Sequence, residues 1–473
     1  GGNANTNSAW IASNTSRLPA GAIVVTYDLK SVSRNASKQP VMVFRFLQNG
    51  AAVALNDFAT ATNNPATGRK EIWDNFMGSP SAYFVYATPQ DGITAPSDFN
   101  GSVSGYLRNI WAGTATGAGA GTLTGPDASG YYTVTLTGVQ IPDSAVMLTG
   151  GLGFTYNVST TLPLTQTNLP NYPVSASPIG AANPIGGLIV IAPNVSKVAT
   201  GYTGRRAVVV DANCNKCHQE LGTFTEDAFH AGQRNDGTTC AWCHRPNQTS
   251  SGWSADSAYF VHGIHAGAKR ADAFTWHAGA VGESFADIGY PGVLRECEAC
   301  HTRDSYNFAA TASQSALPNR LYRTVATGIF NGTAGTSITT YSVSAGACVA
   351  GTSAPQTAVG VFSLAPYITP LTNYGIGYSY NAALTTANSC KPDGTLVANP
   401  AGGTVQADPQ SLVISPVTTA CISCHDSTLA KAHMEVNGAS IYQPRGGALG
   451  VTETCMVCHD SGRIADIKVM HAK

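Results

Sequence analysis

The chain has 473 residues, of which 43% are apolar and only 11% are charged, and its formal net charge is −1. Ordinary soluble domains carry about 25% charged residues, so this composition favours an extracellular, loop-rich and β-rich protein over a cytosolic enzyme. The near-zero net charge gives no indication of nucleic-acid binding. No apolar run reaches the about 18 residues that a membrane-spanning helix needs, and the length predicts two to three domains.

The first part of the chain, residues 1–204, contains neither cysteine nor histidine. Strand-like runs alternate there with turn signals, and Asn49 and Gly50 between two apolar runs predict a hairpin. Because helical periodicity is missing, we expect an all-β domain, either a split barrel or a sandwich, whose last strand leads into a linker. The strand-like runs are 22–29, 40–55, 81–88, 131–141, 152–158 and 187–193.

Five copies of Cys-x-x-Cys-His follow, in a chain with 12 cysteines and 11 histidines. This motif is the attachment signature of c-type haem, in which two thiols add to two vinyl groups and the adjacent imidazole becomes the proximal iron ligand. A zinc ribbon is the alternative, but it pairs one Cys-x-x-Cys with another and needs no histidine after it. An odd number of motifs therefore favours five covalently attached haem c groups. The motif residues are Cys214, Cys217 and His218; Cys240, Cys243 and His244; Cys297, Cys300 and His301; Cys421, Cys424 and His425; and Cys455, Cys458 and His459.

The motif-bearing part, residues 205–473, is expected to form an irregular multihaem domain of short helices and loops. Capping residues and Gly267 predict one helix within 254–267. Residues 320–415 contain neither histidine nor motif, and we expect a β-rich insertion there, with β-like runs at 358–368 and 411–417. The two remaining cysteines, Cys348 and Cys390, are predicted to form a disulfide that closes a loop of the insertion; two buried free thiols are the alternative.

Five irons need five distal ligands, and six histidines remain outside the motifs. His262 and His265 stand three apart on the predicted helix, so one helix could serve two haems. His433 is expected to reach a neighbouring haem more easily than the haem of the motif before it. His277 is the weakest candidate, and a packing or proton-binding role beside Trp276 is the alternative. The predicted distal ligands are His230, His262, His265, His433 and His471.

Methionine is the rival distal ligand, because Met434, Met456 and Met470 lie near motifs. The supply of histidine is sufficient, so we expect ligation by two histidines throughout. An iron with both axial positions filled relays electrons without binding substrate, which predicts an electron-transfer protein without catalytic residues. The alternative is a multihaem reductase with one open haem. The about ten propionates of five haems would make the loaded protein acidic unless they are buried or paired.

The strings around the motifs resemble the outer-surface multihaem cytochromes of the OmcA/MtrC type. FHAGQRNDGTTCAWCH carries His230 and the second motif, and CISCHDSTLAKAHMEVNG carries the fourth motif and His433. FVHGIHAG, YPGVLRECEACH and CMVCHDSGRIADIKVMHA complete the set. The resemblance covers residues 205–473 apart from about 320–415, and the N-terminal region resembles the family's split-barrel domains only in type.

The resemblance implies a β-barrel domain beside a pentahaem domain and electron delivery to extracellular acceptors, namely metal oxides, soluble shuttles or partner cytochromes. It also implies a place outside the cell or on the outer-membrane surface of a Gram-negative-type bacterium, which agrees with haem attachment after export. Typical members carry ten haems in two modules, each a barrel domain with a pentahaem domain, whereas this chain is expected to have one such module. A single module could act alone, dock on an outer-membrane conduit, or stack head-to-tail into a filament of identical copies. The N-terminal domain could instead serve adhesion or partner binding.

Overall fold

The computed structural model divides the chain into two compact units. It describes residues 20–64, 68–155, 161–169, 188–218, 230, 232–278, 283–308, 315–330, 337–355, 362–380, 389–397, 404–405 and 407–471. The first unit comprises Gly1–Tyr86, Gly101–Gly204 and Val209–Cys240. The second comprises Ala87–Asn100, Arg205–Val208 and Ala241–Lys473. The predicted domain limits, 1–204 and 205–473, stay a prediction.

The α-helices of the described residues are short, and most of them carry or adjoin a Cys-x-x-Cys-His motif. They are α1 (Leu107–Trp111), α2 (Asp211–His218), α3 (Cys240–Cys243), α4 (Ser257–His265), α5 (Thr418–Ile422), α6 (Thr428–Val436), α7 (Arg445–Ala448), α8 (Met456–His459) and α9 (Ile467–His471). Within the part of the chain that is described, none of the helices has the length and apolar character needed to cross a bilayer.

The first unit consists mainly of three β-sheets. Their strand orders are β1-β2-β8-β7 with β3 beside β2, β12-β9-β5-β6, and β11-β10-β4. The strands are β1 (Val25–Arg34), β2 (Pro40–Gln48), β3 (Ala51–Ala52), β4 (Phe76–Met77), β5 (Ser81–Ala87), β6 (Gly101–Tyr106), β7 (Gly121–Thr124), β8 (Tyr132–Leu136), β9 (Met147–Gly153), β10 (Thr165–Gln166), β11 (Leu188–Ile189) and β12 (Val195–Val198). The run at 187–193 therefore holds a strand of two residues, and a separate strand follows it.

Strand β2 explains why the first sheet forms. Its buried residues alternate with partly exposed ones, so that Met42, Phe44 and Phe46 all lie on the core side. This is the period of two that a half-buried strand requires. At its end, Asn49 and Gly50 have φ angles of 50° and 85°, as a tight hairpin between β2 and β3 demands. The predicted hairpin is therefore confirmed.

Close packing between two sheets depends on Gly150 of strand β9. A Cβ atom on this residue would lie 2.9 Å from Val32 of β1 and 3.0 Å from Phe84 of β5. Both neighbours are fully buried, so a side chain at position 150 would push the sheets apart. The first unit is thus a packed, β-rich module, which agrees with the predicted split barrel or sandwich.

The second unit combines helices and loops with small antiparallel pairs of strands. Its strands are β13 (Thr249–Ser250), β14 (Trp253–Ser254), β15 (Arg323–Ala326), β16 (Ile329–Phe330), β17 (Ser337–Ile338), β18 (Tyr341–Ser344), β19 (Ala347–Ala350), β20 (Ala354–Pro355), β21 (Thr372–Asn373), β22 (Ser379–Tyr380), β23 (Ser389–Cys390), β24 (Leu396–Val397), β25 (Thr404–Val405), β26 (Leu412–Ile414) and β27 (Ile441–Pro444). A buried cluster around Trp253, Tyr259 and Phe274 forms its core. Together with the β-rich first unit, this confirms the predicted fold class.

The predicted insertion at about 320–415 begins and ends in one sheet of the second unit. Strand β15 at its start pairs with β26 at its end, with Arg323 opposite Ile414. Because both ends are held in one ladder, the third and fourth motifs belong to the same scaffold despite the long intervening segment. The predicted strand at 411–417 is confirmed in β26. The β-like run at 358–368 is wrong over 362–368, because these residues form turns instead of a strand.

The predicted disulfide joins two hairpins of the insertion. Cys348 of β19 is bonded to Cys390 of β23, and the two Cα atoms are 5.7 Å apart. The β18–β19 hairpin turns through Ala345 and Gly346, both with positive φ. A two-stranded hairpin by itself is at best marginally stable in water, so the covalent link adds stability to both hairpins.

Replacing both Cys348 and Cys390 with serine should destabilise the insertion by about 2–4 kcal/mol, because the unfolded segment then regains its loop-closure entropy. Hydrogen exchange at the β18 and β19 amides measures this free energy of opening. The haem-binding scaffold should be unaffected, so an unchanged visible spectrum is the expected control result. Unchanged protection of these amides would contradict the prediction.

Candidate functional site

The Cys-x-x-Cys-His motifs lie in short helical turns. In the third, fourth and fifth motifs, the histidine N–H donates to the carbonyl of the first cysteine, as in His301 to Cys297 (2.9 Å) and His425 to Cys421 (2.8 Å). A helical turn places residues three and four positions apart on one face. The two thiols and the imidazole of a motif are therefore directed to the same side. None of the ten motif cysteines, all of which lie in the described part of the chain, takes part in a disulfide.

A carboxylate that sequence reasoning missed links the fourth and fifth motifs. Glu453, two residues before Cys455, accepts hydrogen bonds from the N–H groups of Val417 (2.8 Å) and Thr418 (2.7 Å). These N–H groups begin helix α5, which carries Cys421. Because helix N-termini have unsatisfied donors, this side chain caps one motif from beside the other. No sequence signal beyond its position next to a motif could have identified it.

Five of the candidate iron ligands have one ring nitrogen engaged by a backbone carbonyl of the protein. In these residues Nδ1 lies within hydrogen-bond distance of a backbone carbonyl, which fixes the tautomer with Nε2 unprotonated. Such a contact orients the ring as the outer partners of metal-bound histidines do. The pairs are His244 with Ala255 (2.9 Å), His262 with Ala258 (2.8 Å), His265 with Val261 (2.7 Å), His459 with Ala465 (2.9 Å) and His471 with Ile467 (2.8 Å).

Three motif histidines each face a histidine from outside the motifs. The ring centroids of His262 and His301 are 5.8 Å apart. The corresponding distances are 6.1 Å for His425 and His471, and 6.2 Å for His433 and His459. Two imidazoles bound to one metal from opposite sides would have centroids roughly 6 Å apart, because each metal–nitrogen bond is about 2 Å. The spacing of all three pairs fits a shared metal ion.

The electrostatic environment keeps several of these imidazoles neutral, which is the form that binds a metal. Burial, the neighbouring His262 ring and the charge of Arg206 lower the pKa of His301 to about 4. Burial is also the main cause that lowers the pKa of His262 and of His425. None of these three rings needs to lose a proton at neutral pH before it can act as a ligand.

Exposed apolar side chains around the paired histidines fit a flat apolar cofactor. On helix α6, Leu429 lies four residues before His433 and Val436 three residues after it, so all three share a face. Leu429 is 81% and Val436 82% exposed. Ile464, which lies between His459 and His471 in the sequence, is 92% exposed. A soluble helix normally turns such residues toward protein, so these residues fit the macrocycle of haem.

The other sequence-predicted ligands occupy different surroundings. His218 ends helix α2, His230 has a positive φ of 53°, and both are partly buried. The ring of His244 packs 4.3 Å from Phe260. The ring of His265 lies 5.7 Å from Tyr290. Their assignment as iron ligands stays a prediction.

The less favoured candidate ligands, His277 and the methionines, lie in different surroundings. His277 is exposed, and its ring lies 4.1 Å from Trp276. Among the rival methionines, Met434 packs against the buried cluster of the second unit, whereas Met470 is 51% exposed. For His277, the contact between its ring and that of Trp276 fits the alternative of a packing role.

A β-rich unit, a helix-and-loop unit and five Cys-x-x-Cys-His motifs together define a multihaem c-type cytochrome. A family model described as outer membrane cytochrome MtrC/MtrF-like, domains II/IV, matches residues 206–359 and 376–472, just over half of the chain. The chain belongs to this family, whose members are cytochromes of the bacterial outer-membrane surface.

Two solved structures are similar to the chain. MtrC from Shewanella baltica OS185 is 12% identical, with a TM-score of 0.41, and the match covers 92% of this chain and 52% of that one. The outer membrane decahaem cytochrome OmcA is 13% identical, with a TM-score of 0.38, and the match covers 95% of this chain and 49% of that one. The chain thus spans about half the length of each. No curated protein matches it significantly.

Proposed function

We propose that this chain holds five covalent haem c groups, each between two histidines, and relays electrons at the exterior of the cell. The observation that carries the proposal is the spacing of the three histidine pairs, 5.8–6.2 Å between ring centroids. Each pair joins the proximal candidate of one motif to a histidine from outside any motif. When bound, haem supplies a one-electron iron centre, and the protein determines its ligands and surroundings.

The ligand pairing distinguishes a carrier from a reductase. A protein that fills both axial positions of an iron leaves no position for a substrate, so it restricts the iron to electron exchange. His301, His425 and His459 each have such a second imidazole nearby. We extend the same arrangement to His218 and His244, with His230 and His265 as their distal ligands. The acceptors would be metal oxides, soluble shuttles, partner cytochromes or an outer-membrane conduit.

The experiment is a count of haems per chain combined with spectroscopy of the oxidised protein. Pyridine haemochromogen absorbance against protein concentration should give five, and electron paramagnetic resonance should show only low-spin iron. Replacing both Cys455 and Cys458 with serine should reduce the count to four. The matched control, Cys348→Ser with Cys390→Ser, should keep it at five, because those cysteines form a disulfide.

Two results would overturn the proposal in different ways. A count below five would reject one or more attachment sites. A high-spin signal in the intact protein would indicate an iron with an open position and would favour the reductase alternative.

A further inference from the structure

Four arginines of the second unit surround two buried carboxylates beside the His262–His301 pair. Asp98 is within ion-pair distance of Arg323 (Nη2 to Oδ2, 3.0 Å) and of Arg205 (Nη2 to Oδ1, 3.8 Å). The second carboxylate, Asp256, lies 3.2 Å from Nε of Arg323. The remaining arginines are Arg206 and Arg320, whose charges act on Asp98 and on each other. We call these six residues the arginine cluster.

The arginine cluster is connected to both histidines of the pair. Asp256 accepts the N–H of Ala258 (3.0 Å) and so caps helix α4, which carries His262. On the other side, Arg206 donates to the carbonyl of Ser305 (2.9 Å). The hydroxyl of Ser305 lies 3.3 Å from Nδ1 of His301. The positive charge of Arg320 also acts directly on His262.

The charges of the cluster do not balance. Four guanidinium groups face two carboxylates, which leaves an excess of two positive charges in a partly buried place. Among the described residues, Arg206 and Arg320 form no ion pair with a carboxylate. Burial and the neighbouring Arg323 lower the pKa of Arg320 to about 10, so it stays charged at neutral pH. Buried charges of one sign are costly unless an anion compensates them.

We propose that Arg320 and Arg206 bind the two propionate carboxylates of the porphyrin held between His262 and His301. This inference rests on the proposed haem ligation and identifies the anion that the cluster is built to receive. Two carboxylates match the excess of two positive charges. Guanidinium groups suit this role, because their planar N–H donors pair with carboxylate oxygens. The group also keeps its positive charge at neutral pH.

The site should also set the reduction potential of that haem. A guanidinium that neutralises a propionate removes negative charge from the neighbourhood of the iron and stabilises its reduced form. Loss of the guanidinium should therefore favour the oxidised form. In the Arg320→Gln holoprotein, one of the titrating components should move to lower potential. We expect the oxidised-to-reduced ratio of that component to change about tenfold at a fixed potential, which corresponds to about 59 mV for one electron.

The control is Arg303→Gln. Arg303 is two residues from His301, but its side chain is 77% exposed, so water screens its charge and its removal should leave the titration close to wild type. Arg320→Lys keeps the positive charge and should restore most of the potential. If Arg320→Gln does not fold, Arg206→Gln should shift the same component in the same direction.

Spectroelectrochemical titration of the purified holoproteins decides the question, together with the haem count and the low-spin resonance of each variant. An unchanged low-spin signal with a lowered potential supports the site, because lost ligation would alter the signal. A titration of Arg320→Gln that superimposes on wild type, with all haems present, would overturn this inference and leave the proposed function intact. A wild-type protein without haem between these histidines would instead reject the proposed function.

Discussion

Replacing His433 with alanine is expected to convert one of the five proposed low-spin irons into a high-spin centre that binds carbon monoxide when reduced. His433 and His459 have ring centroids 6.2 Å apart, and His459 is the proximal candidate of the fifth motif. The change removes the distal ligand and leaves the attachment residues intact. Alanine is the best helix former and position 433 is exposed, so helix α6 should persist. Resonance and visible spectra of the oxidised holoprotein, with carbon monoxide added after reduction, give the measurement.

The informative control is His277→Asn. His277 was the weakest ligand candidate from sequence, and its ring packs against Trp276. It has a φ of 60°, a conformation that asparagine tolerates better than most residues. This variant should keep every iron low-spin. If His277→Asn produced the high-spin signal and His433→Ala did not, the assignment of the distal ligand would have to be reversed.

The local geometry of each motif could be predicted from sequence, because the groups concerned lie close together in the chain. Cys455, Cys458 and His459, which the proposed haem attachment requires on one side, lie within a single helical turn. The same locality made helix α4 predictable, since its capping residue Asp256 lies two residues after the start of the predicted segment. The hairpin at Asn49 and Gly50 is likewise fixed by the φ angles that its two residues can adopt.

The partners of the motif histidines could not be predicted in this way. His471 lies near the end of the chain, yet its ring faces that of His425 in the fourth motif and not that of the nearer His459. His262 faces His301 across a long intervening segment. Counting histidines gives the supply of distal ligands, but the pairing depends on tertiary packing. The described part of the predicted β-like run, residues 362–368, forms turns for a related reason, because short apolar segments pack as turns as readily as strands.

The arginine cluster was also beyond sequence reasoning. Asp98 lies in Ala87–Asn100, a short segment from the N-terminal half that belongs to the second unit. Its composition shows no feature that distinguishes it from the surrounding strands and loops. A second residue of the segment, Asp91, forms a buried ion pair with Arg445 (2.6 Å). Two carboxylates on one segment thus neutralise buried arginines of the second unit, which makes the segment part of that unit's core.

Asp98→Asn should cost about 3–5 kcal/mol in the free energy of unfolding at neutral pH, because it leaves Arg323 with one carboxylate fewer in a buried site. Burial alone would raise the pKa of Asp98, but Arg323, Arg320 and Arg205 outweigh it and lower the pKa to about 2. The unfolded chain has a value of about 3.9. The carboxylate therefore stabilises the fold fully above about pH 4 and loses this contribution as the pH falls through about 2.

The difference between wild type and Asp98→Asn should accordingly shrink by about 2 kcal/mol between pH 5 and pH 2. Urea titrations of the two holoproteins across this range, followed by circular dichroism, measure it. Asp304→Asn is the matched control, because this carboxylate pairs with Lys468 at a position that is 46% exposed. An exposed pair contributes at most about 1 kcal/mol, so the control should follow wild type closely. A constant gap between wild type and Asp98→Asn down to pH 2 would mean that the three arginines do not hold this carboxylate ionised.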